Sequence, residues 1–304
     1  MGTHDVREDP RNEQILIYIN GRLFPRAEAT VSVFDSGFLL GDGVWEGIRL
    51  HHGRLVFGDR HFRRLYEGAR AIDLDIGLEP AQLEQEVYRT LEANHMRDGV
   101  HIRLIVTRGL KKTPYQHPRA NVGGATIVII PEYKVPTPES VTQGLRLVSV
   151  AIRRGAPDVQ DPKWNSLSKL NCIAACIQAD KAGGDEALML DPHGFVSTCN
   201  STNFFLVRQG EVWTSTGDYC LNGVTRGVII ELCHEHGIPV FQKNFSLTDV
   251  YGGDEAFVTG TFAGVIPVVS VDGRSLQLYP PGSVVKTLAK LYHDKIERLY
   301  PETA

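Results

Sequence analysis

Cysteine is scarce in this sequence, and no long apolar run is present. The 304 residues hold five cysteines (Cys172, Cys176, Cys199, Cys220 and Cys233), an odd number scattered through the second half. A chain of this length with so few, irregularly spaced cysteines is not expected to rest on a disulfide framework. Cys172 and Cys176 stand four apart and share a face if they lie on a helix. No second Cys or His pair follows at metal-ligand spacing, so no metal is expected and the two read as small buried side chains. No apolar stretch approaches the length of a membrane span. The start, Met1 to Arg11, is polar and of mixed charge, without the apolar centre of a secretory signal. The expectation is a cytoplasmic protein with no membrane partner. Nor does one sign of charge dominate: the net charge of -4 argues against a nucleic-acid or anionic-lipid partner. Repeats and low-complexity segments are also lacking.

What is present is an alternation of strand and helix patterns. Ile15 to Ile19 reads as a strand closed by Asn20-Gly21. Leu55-Val56-Phe57 reads as another short one. Phe62, Leu65, Tyr66, Ala69 and Ile72 recur at helical spacing, which predicts a helix over Asp59 to Ile72. Pro80 suits a first helical position, and Leu83, Val87 and Leu91 continue an apolar face. Val100 to Thr107 and Ala125 to Ile130 read as strands. Pro131 to Ser140 holds three prolines and little apolar content, so it reads as a linker.

Beyond the linker, Leu145 to Val150 is a predicted strand, and Leu167 to Ala182 a helix ended by Gly183-Gly184. Ala187 to Leu190 and Phe195 to Ser197 are predicted to pair across Asp191-Pro192-His193-Gly194. Phe204 to Val207 and Glu211 to Thr214 flank a further turn. Arg226 to His236 and Ser283 to Leu299 read as helices. The expected fold class is α/β with mixed sheets in two domains: a smaller one over 1–130, a linker over 131–140 and a larger one over 141–304.

Four segments carry chemistry. The first is Gly41-Asp42-Gly43-Val44-Trp45-Glu46-Gly47-Ile48-Arg49, with Leu55-Val56-Phe57 and His61-x-x-Arg64-Leu65. The second is Val106-Thr107-Arg108-Gly109. The third runs from Asn165 to Phe205. The fourth joins Leu221-Asn222-Gly223-Val224-Thr225-Arg226 to Val258-Thr259-Gly260-Thr261 and Ile266-Pro267-Val268. In this order they resemble the class IV (fold-type IV) pyridoxal-phosphate enzymes. That family includes branched-chain aminotransferases, D-amino-acid aminotransferases and aminodeoxychorismate lyases.

The resemblance implies pyridoxal 5'-phosphate (PLP) as cofactor. A phosphate needs cations, hydroxyls and backbone N–H groups, and a glycine turn feeding a helix supplies the last of these. By resemblance Val224, Thr225 and Thr261 contact the phosphate and Arg64 adds charge. The alternatives are a plain helix cap for Thr225 and a solvated helix face for Arg64.

The cofactor also needs an amine. Laid on the family pattern without gaps, the lysine position is Asn165, which cannot form an imine. Lys169 lies four residues on. If Asn165 begins a helix, the two side chains share a face, and Lys169 is the expected anchor. Lys163 is an alternative, and a fold that binds without imine chemistry is another. The family's glutamate, which pairs with the pyridine nitrogen, is replaced by Thr198. A threonine hydrogen-bonds but carries no charge, and its alternative is an ordinary strand residue. Asn203 keeps the family residue.

For substrate, Arg108 resembles the carboxylate-binding arginine of the D-amino-acid enzymes, and Arg103 stands where branched-chain enzymes carry one. Surface ion pairs are the alternative for both. Trp45 falls where relatives place an aromatic against the substrate, unless it is a core aromatic. Lys111, Lys112 and His117 follow in a polar loop. The resemblance implies an aminotransferase acting on an amino acid or amine and a 2-oxo acid, as a homodimer. A lyase or racemase on the same fold, or a non-catalytic homologue, stays open.

Overall fold

The computed structural model describes residues 8–136 and 142–302. The N-terminal stretch up to residue 7, and the expected linker from residue 137 to 140, lie outside the described residues. The chain forms two compact units. One contains residues 8–135 and also Trp164–Lys169, a segment that returns to it from far along the chain. The other contains Pro136–Lys163 and Leu170–Pro301.

The strands of the first unit are β1 (Leu16–Ile19), β2 (Arg22–Pro25), β3 (Gly43–His51), β4 (Arg54–Leu55), β5 (Val100–Thr107), β6 (Leu110–Lys111), β7 (Asn121–Val122) and β8 (Thr126–Tyr133). Six of them form one sheet in the order β2-β1-β8-β5-β3-β4, and β6 pairs with β7. Alternation gives this sheet two faces of different chemistry. Val44, Ile48 and Leu50 of β3 and Ile102, Leu104 and Val106 of β5 are buried in the core.

The Gly58–Ala71 and Pro80–Ala93 helices supply Phe62, Leu65, Leu83 and Val87 to the same core. Full burial of side chains of this kind is worth roughly 1.5–3 kcal/mol each. The second helix begins as its sequence suggests, with Pro80 at the first position and a capping box between Glu79 and Gln82. The opposite face of the sheet carries Trp45, Gly47, Arg49, His101, Arg103 and Glu132.

Some elements depart from expectation. Only Arg54–Leu55 is a strand, because Phe57 adopts a left-handed backbone (φ 51°) and serves as the N-cap of the next helix. β8 runs through Pro131 to Tyr133, held by pairing with β5.

In the second unit the strands are β9 (Leu145–Ser149), β10 (Glu186–Leu190), β11 (Val196–Cys199), β12 (Asn203–Arg208), β13 (Glu211–Thr214), β14 (Val240–Gln242), β15 (Glu255–Gly260), β16 (Gly264–Val271) and β17 (Arg274–Ser275). They form one mixed sheet in the order β11-β10-β9-β16-β15-β12-β13-β14, with β17 on β16. Leu147, Leu188, Phe204, Val258 and Val268 are buried between its elements.

The Leu170–Lys181 helix packs on β9 and β10 through Ala175 and Ala179, whose small side chains allow close approach. It starts three residues later than its periodicity suggests. Its outer face leaves Cys176 exposed and Cys172 half-buried, so these two are not the small buried pair expected; Cys199, Cys220 and Cys233 are buried, and all five are free thiols. Among the described residues no helix is long and apolar enough to cross a membrane.

Candidate active site

The first unit's site is built on one open strand edge. At its start β3 has β5 on one side only, since β4 pairs no further than Leu50 and His51. Trp164–Lys169 fills the other side. Ser166 bridges Val44, the Trp45 N–H donates to Asn165 O (2.9 Å) and the Leu167 N–H donates to Gly43 O (2.9 Å). Asn165 is therefore extended backbone and not the first residue of a helix. The indole N–H of Trp45 donates to Ser166 O (3.1 Å), which fixes the ring.

Asn165 is 4% exposed. Its amide Nδ2 donates to Trp45 O (2.6 Å), and its Oδ1 accepts from Lys169 Nζ (3.1 Å). The Lys169 amine thus meets the side chain at the family's lysine position, though by a chain reversal and not by helical stacking. Nζ also lies 5.3 Å from the centroid of the Trp45 ring, and the Arg103 guanidinium lies 3.7 Å from that centroid. Both are cation–aromatic distances. Burial pulls the Arg103 pKa below its usual value, with Glu132 and Glu46 opposing. Gly47 makes room on this face: a Cβ there would fall 2.9 Å from the His101 ring. Lys163 is exposed, 3.9 Å from Asp218.

Arg64 holds a different contact. Its Nε and Nη2 donate to the two carboxylate oxygens of Glu46 (2.7 Å each), and His61 Nδ1 lies 2.6 Å from the same carboxylate. Burial pushes the Glu46 carboxyl up, but Arg64 and His61 outweigh it and hold its pKa at about 2. Arg108 is bound inside its own unit. It pairs with Asp42 through Nε (2.7 Å) and Nη2 (3.0 Å), and donates to the carbonyls of Ile72 and Asp73 (2.6 Å each). That is the ion-pair alternative, and it leaves little of the guanidinium for a substrate carboxylate. Lys111 is buried with Nζ on Asn121 Oδ1 (2.8 Å).

In the second unit, Thr198 is buried and its hydroxyl donates to Thr202 O (2.7 Å). Asn203 Nδ2 donates to Leu221 O (2.9 Å) and approaches Thr198 Oγ1 (3.4 Å). The buried Glu186 carboxylate holds the turn between them, accepting from Ser201 N, Ser201 Oγ and Thr202 Oγ1.

Gly223 is the N-cap of the Val224–Glu235 helix and offers no side-chain cap to its first N–H groups. A Cβ at Gly223 would stand 2.3 Å from Asn203 Oδ1, so only glycine fits. Val224 and Thr225 begin the helix, both buried. Thr261 stands half-buried in the turn between β15 and β16. Thr259, opposite Asn203 in the sheet, has a buried hydroxyl with no hydrogen-bond partner. Buried Arg226 donates to Ser215 O, Asn222 Oδ1 and Gln242 Oε1, tying the loop before the turn to the helix.

Glu46, Asn165, Thr259 and Glu186 were not singled out as functional groups by sequence reasoning. For Glu46 a signal existed: alternation places a carboxylate between Val44 and Ile48 on the core side of a strand, where it requires a cationic partner.

This frame has a name. Residues 43–271 match the model of the class IV amino-transferases, and the chain belongs to that family. A Methanocaldococcus jannaschii protein named for the branched-chain-amino-acid aminotransferases is 40% identical over 280 residues, covering 91% of this chain and 95% of its own. Branched-chain-amino-acid aminotransferase-like protein 1 of Arabidopsis thaliana is 36% identical over 283 residues, 93% of this chain; the chain spans only 51% of that relative. Among solved structures, the branched-chain aminotransferase of the thermophilic archaeon Thermoproteus uzoniensis, with norvaline, superposes with a TM-score of 0.83 at 29% identity, covering 95% of this chain and 96% of that one.

Proposed function

We propose that this chain is a PLP-dependent aminotransferase that moves an amino group between an amino acid or amine and a 2-oxo acid. The observation that carries the reading is the Lys169 amine, 3.1 Å from the side chain at the family's lysine position. The groups a phosphate requires support it: the uncapped N–H groups that follow Gly223, and the partnerless, buried Thr259 hydroxyl. By family correspondence Val224, Thr225 and Thr261 hold the phosphate, with Arg64 and Asn203 beside the cofactor.

PLP supplies an aldehyde for an amine and a ring that draws electron density from the substrate's Cα. The chain's own residues do the rest. Lys169 Nζ anchors the cofactor and then, once released by the substrate's amine, takes the Cα proton and returns it. Arg103 is the better candidate for the substrate carboxylate, because Arg108 is already bound by Asp42. Trp45 supports both cations. Thr198 gives its hydrogen to Thr202 O, so it offers the pyridine nitrogen a lone pair and no charge.

That last feature favours a second reading, a lyase or racemase that needs less electron withdrawal. One titration separates them. The PLP-loaded protein is mixed with single amino acids, and pyridoxamine phosphate, 2-oxo acid and enantiomer ratio are followed. Stoichiometric pyridoxamine phosphate supports transfer. A cleaved or racemised amino acid without it supports the second reading. Failure to retain PLP overturns both.

The proposal includes a homodimer. Val31, Val33, Phe34, Phe38 and Leu40 are exposed along one segment, and Leu110 joins them through its bridge with Asp35. An apolar surface of this kind suits a partner subunit. It also includes a cytoplasmic setting, supported by the five free thiols.

A further inference from the structure

We propose that Asn165 is a positioning residue that presents the Lys169 amine as a nucleophile. The inference rests on the PLP reading above and assigns a role to the residue that displaced the family's lysine. Asn165 cannot turn its amide freely. The Trp45 carbonyl requires a donor, so Nδ2 must face it (2.6 Å), and Oδ1 is left facing Lys169 Nζ (3.1 Å). Backbone hydrogen bonds on both sides of Ser166 hold the carboxamide against β3, and it is 4% exposed.

The groups around the amine are of a consistent kind. Its orienting partner is a neutral oxygen, and its ring neighbour, Trp45, is neutral too. A neutral acceptor fixes the direction of Nζ without adding a charge that would keep it protonated. The charged and titratable groups on this face of the first unit's sheet are Arg49 of β3, His101 and Arg103 of β5, and Glu132 of β8. Arg103 shares the Trp45 ring with Lys169, and a second cation there is disfavoured. An acid in place of Asn165 reverses this balance, because a carboxylate at hydrogen-bond distance stabilises the ammonium form.

Two variants test the role. The protein is incubated with PLP across a pH series and reduced with borohydride, and the adduct on Lys169 is quantified by peptide mass spectrometry. Asn165→Asp is expected to move the midpoint of adduct formation up by about one to two pH units, the range a neighbouring opposite charge produces. Asn165→Leu removes the orienting oxygen at similar volume. Its expected effect is adduct formation slowed about tenfold or more, with phosphate-group affinity, read from pyridoxamine phosphate binding, unchanged.

A purely structural role predicts neither the pH shift nor the split between trapping rate and affinity. An unmoved midpoint in Asn165→Asp, together with wild-type trapping in Asn165→Leu, overturns the assignment while the PLP reading stands. If Asn165→Asp does not fold, the trapping rate of Asn165→Leu decides alone. Absence of any adduct in the unaltered protein overturns both.

Discussion

The Lys169 amine and the Asn165 amide oxygen stand 3.1 Å apart, although the two residues do not share a helix. The contact comes from a turn of chain between a segment paired with β3 and the helix that begins at Leu170. This relationship separates two roles that the family joins in one lysine. Asn165 occupies the position, and Lys169 supplies the nitrogen.

Lys169→Ala should therefore remove turnover while leaving the fold intact. A lost general base alone lowers rate about 10²- to 10⁴-fold. The side chain is only half-buried, so the expected stability change is within about 1 kcal/mol, read as Tm. Lys163→Ala, at an exposed lysine, should leave turnover near the unaltered value. The reverse pattern transfers the role to Lys163.

Glu46 makes stability depend on acid. Its carboxyl sits at about 2 in the folded chain against an ordinary 4.5. A depressed carboxyl pKa stabilises the native state above the unfolded value, so the contribution is full above about pH 4.5. It is lost as pH falls toward about 2 and amounts to roughly 3 kcal/mol. Glu46→Gln should flatten that part of a Tm-against-pH curve. It should also lower neutral-pH stability by about 3–5 kcal/mol, because Arg64 loses its charged partner. Parallel curves for the two proteins would show that the ion pair is not what acid breaks.

Thr198→Glu restores a charge at the family position. A charge-assisted hydrogen bond is worth about 1.5–3 kcal/mol, so amino transfer should quicken on the order of tenfold or more per loaded enzyme. Overpacking a buried site should cost about 1–3 kcal/mol in the same variant. Stopped-flow rates of the first half-reaction read the first effect and Tm the second. A slower half-reaction in a folded variant argues that Thr198 does not face the ring nitrogen.

Gly223→Ala places a methyl 2.3 Å from Asn203 Oδ1. The turn must shift, at about 1–3 kcal/mol, and its N–H groups move with it. Inorganic phosphate and PLP should both bind at least several-fold more weakly by calorimetry. Unchanged affinity for both would remove this turn from the phosphate site.

Local signals were legible where local physics decides. Pro80, Glu79 and Gln82 start a helix within four residues, and the strand-to-helix turn at Gly223 carries its own glycine requirement. What could not be read depends on distant partners. Residues 165–167 are drawn from the predicted helix into pairing with Gly43 and Trp45, more than a hundred residues earlier. Arg108 resembles a substrate arginine by motif, but Asp42 and the carbonyls after the Gly58–Ala71 helix bind it first. The family frame supplied the positions of Lys169 and Thr198; their hydrogen-bond directions needed the structure.

The most direct test of the account is the identity of the lysine that PLP modifies. The full chain is loaded with PLP, reduced with borohydride and digested, and the modified peptide is sequenced by mass spectrometry. The account predicts a single phosphopyridoxyl group on Lys169. An adduct on Lys163, or none at all, would contradict it.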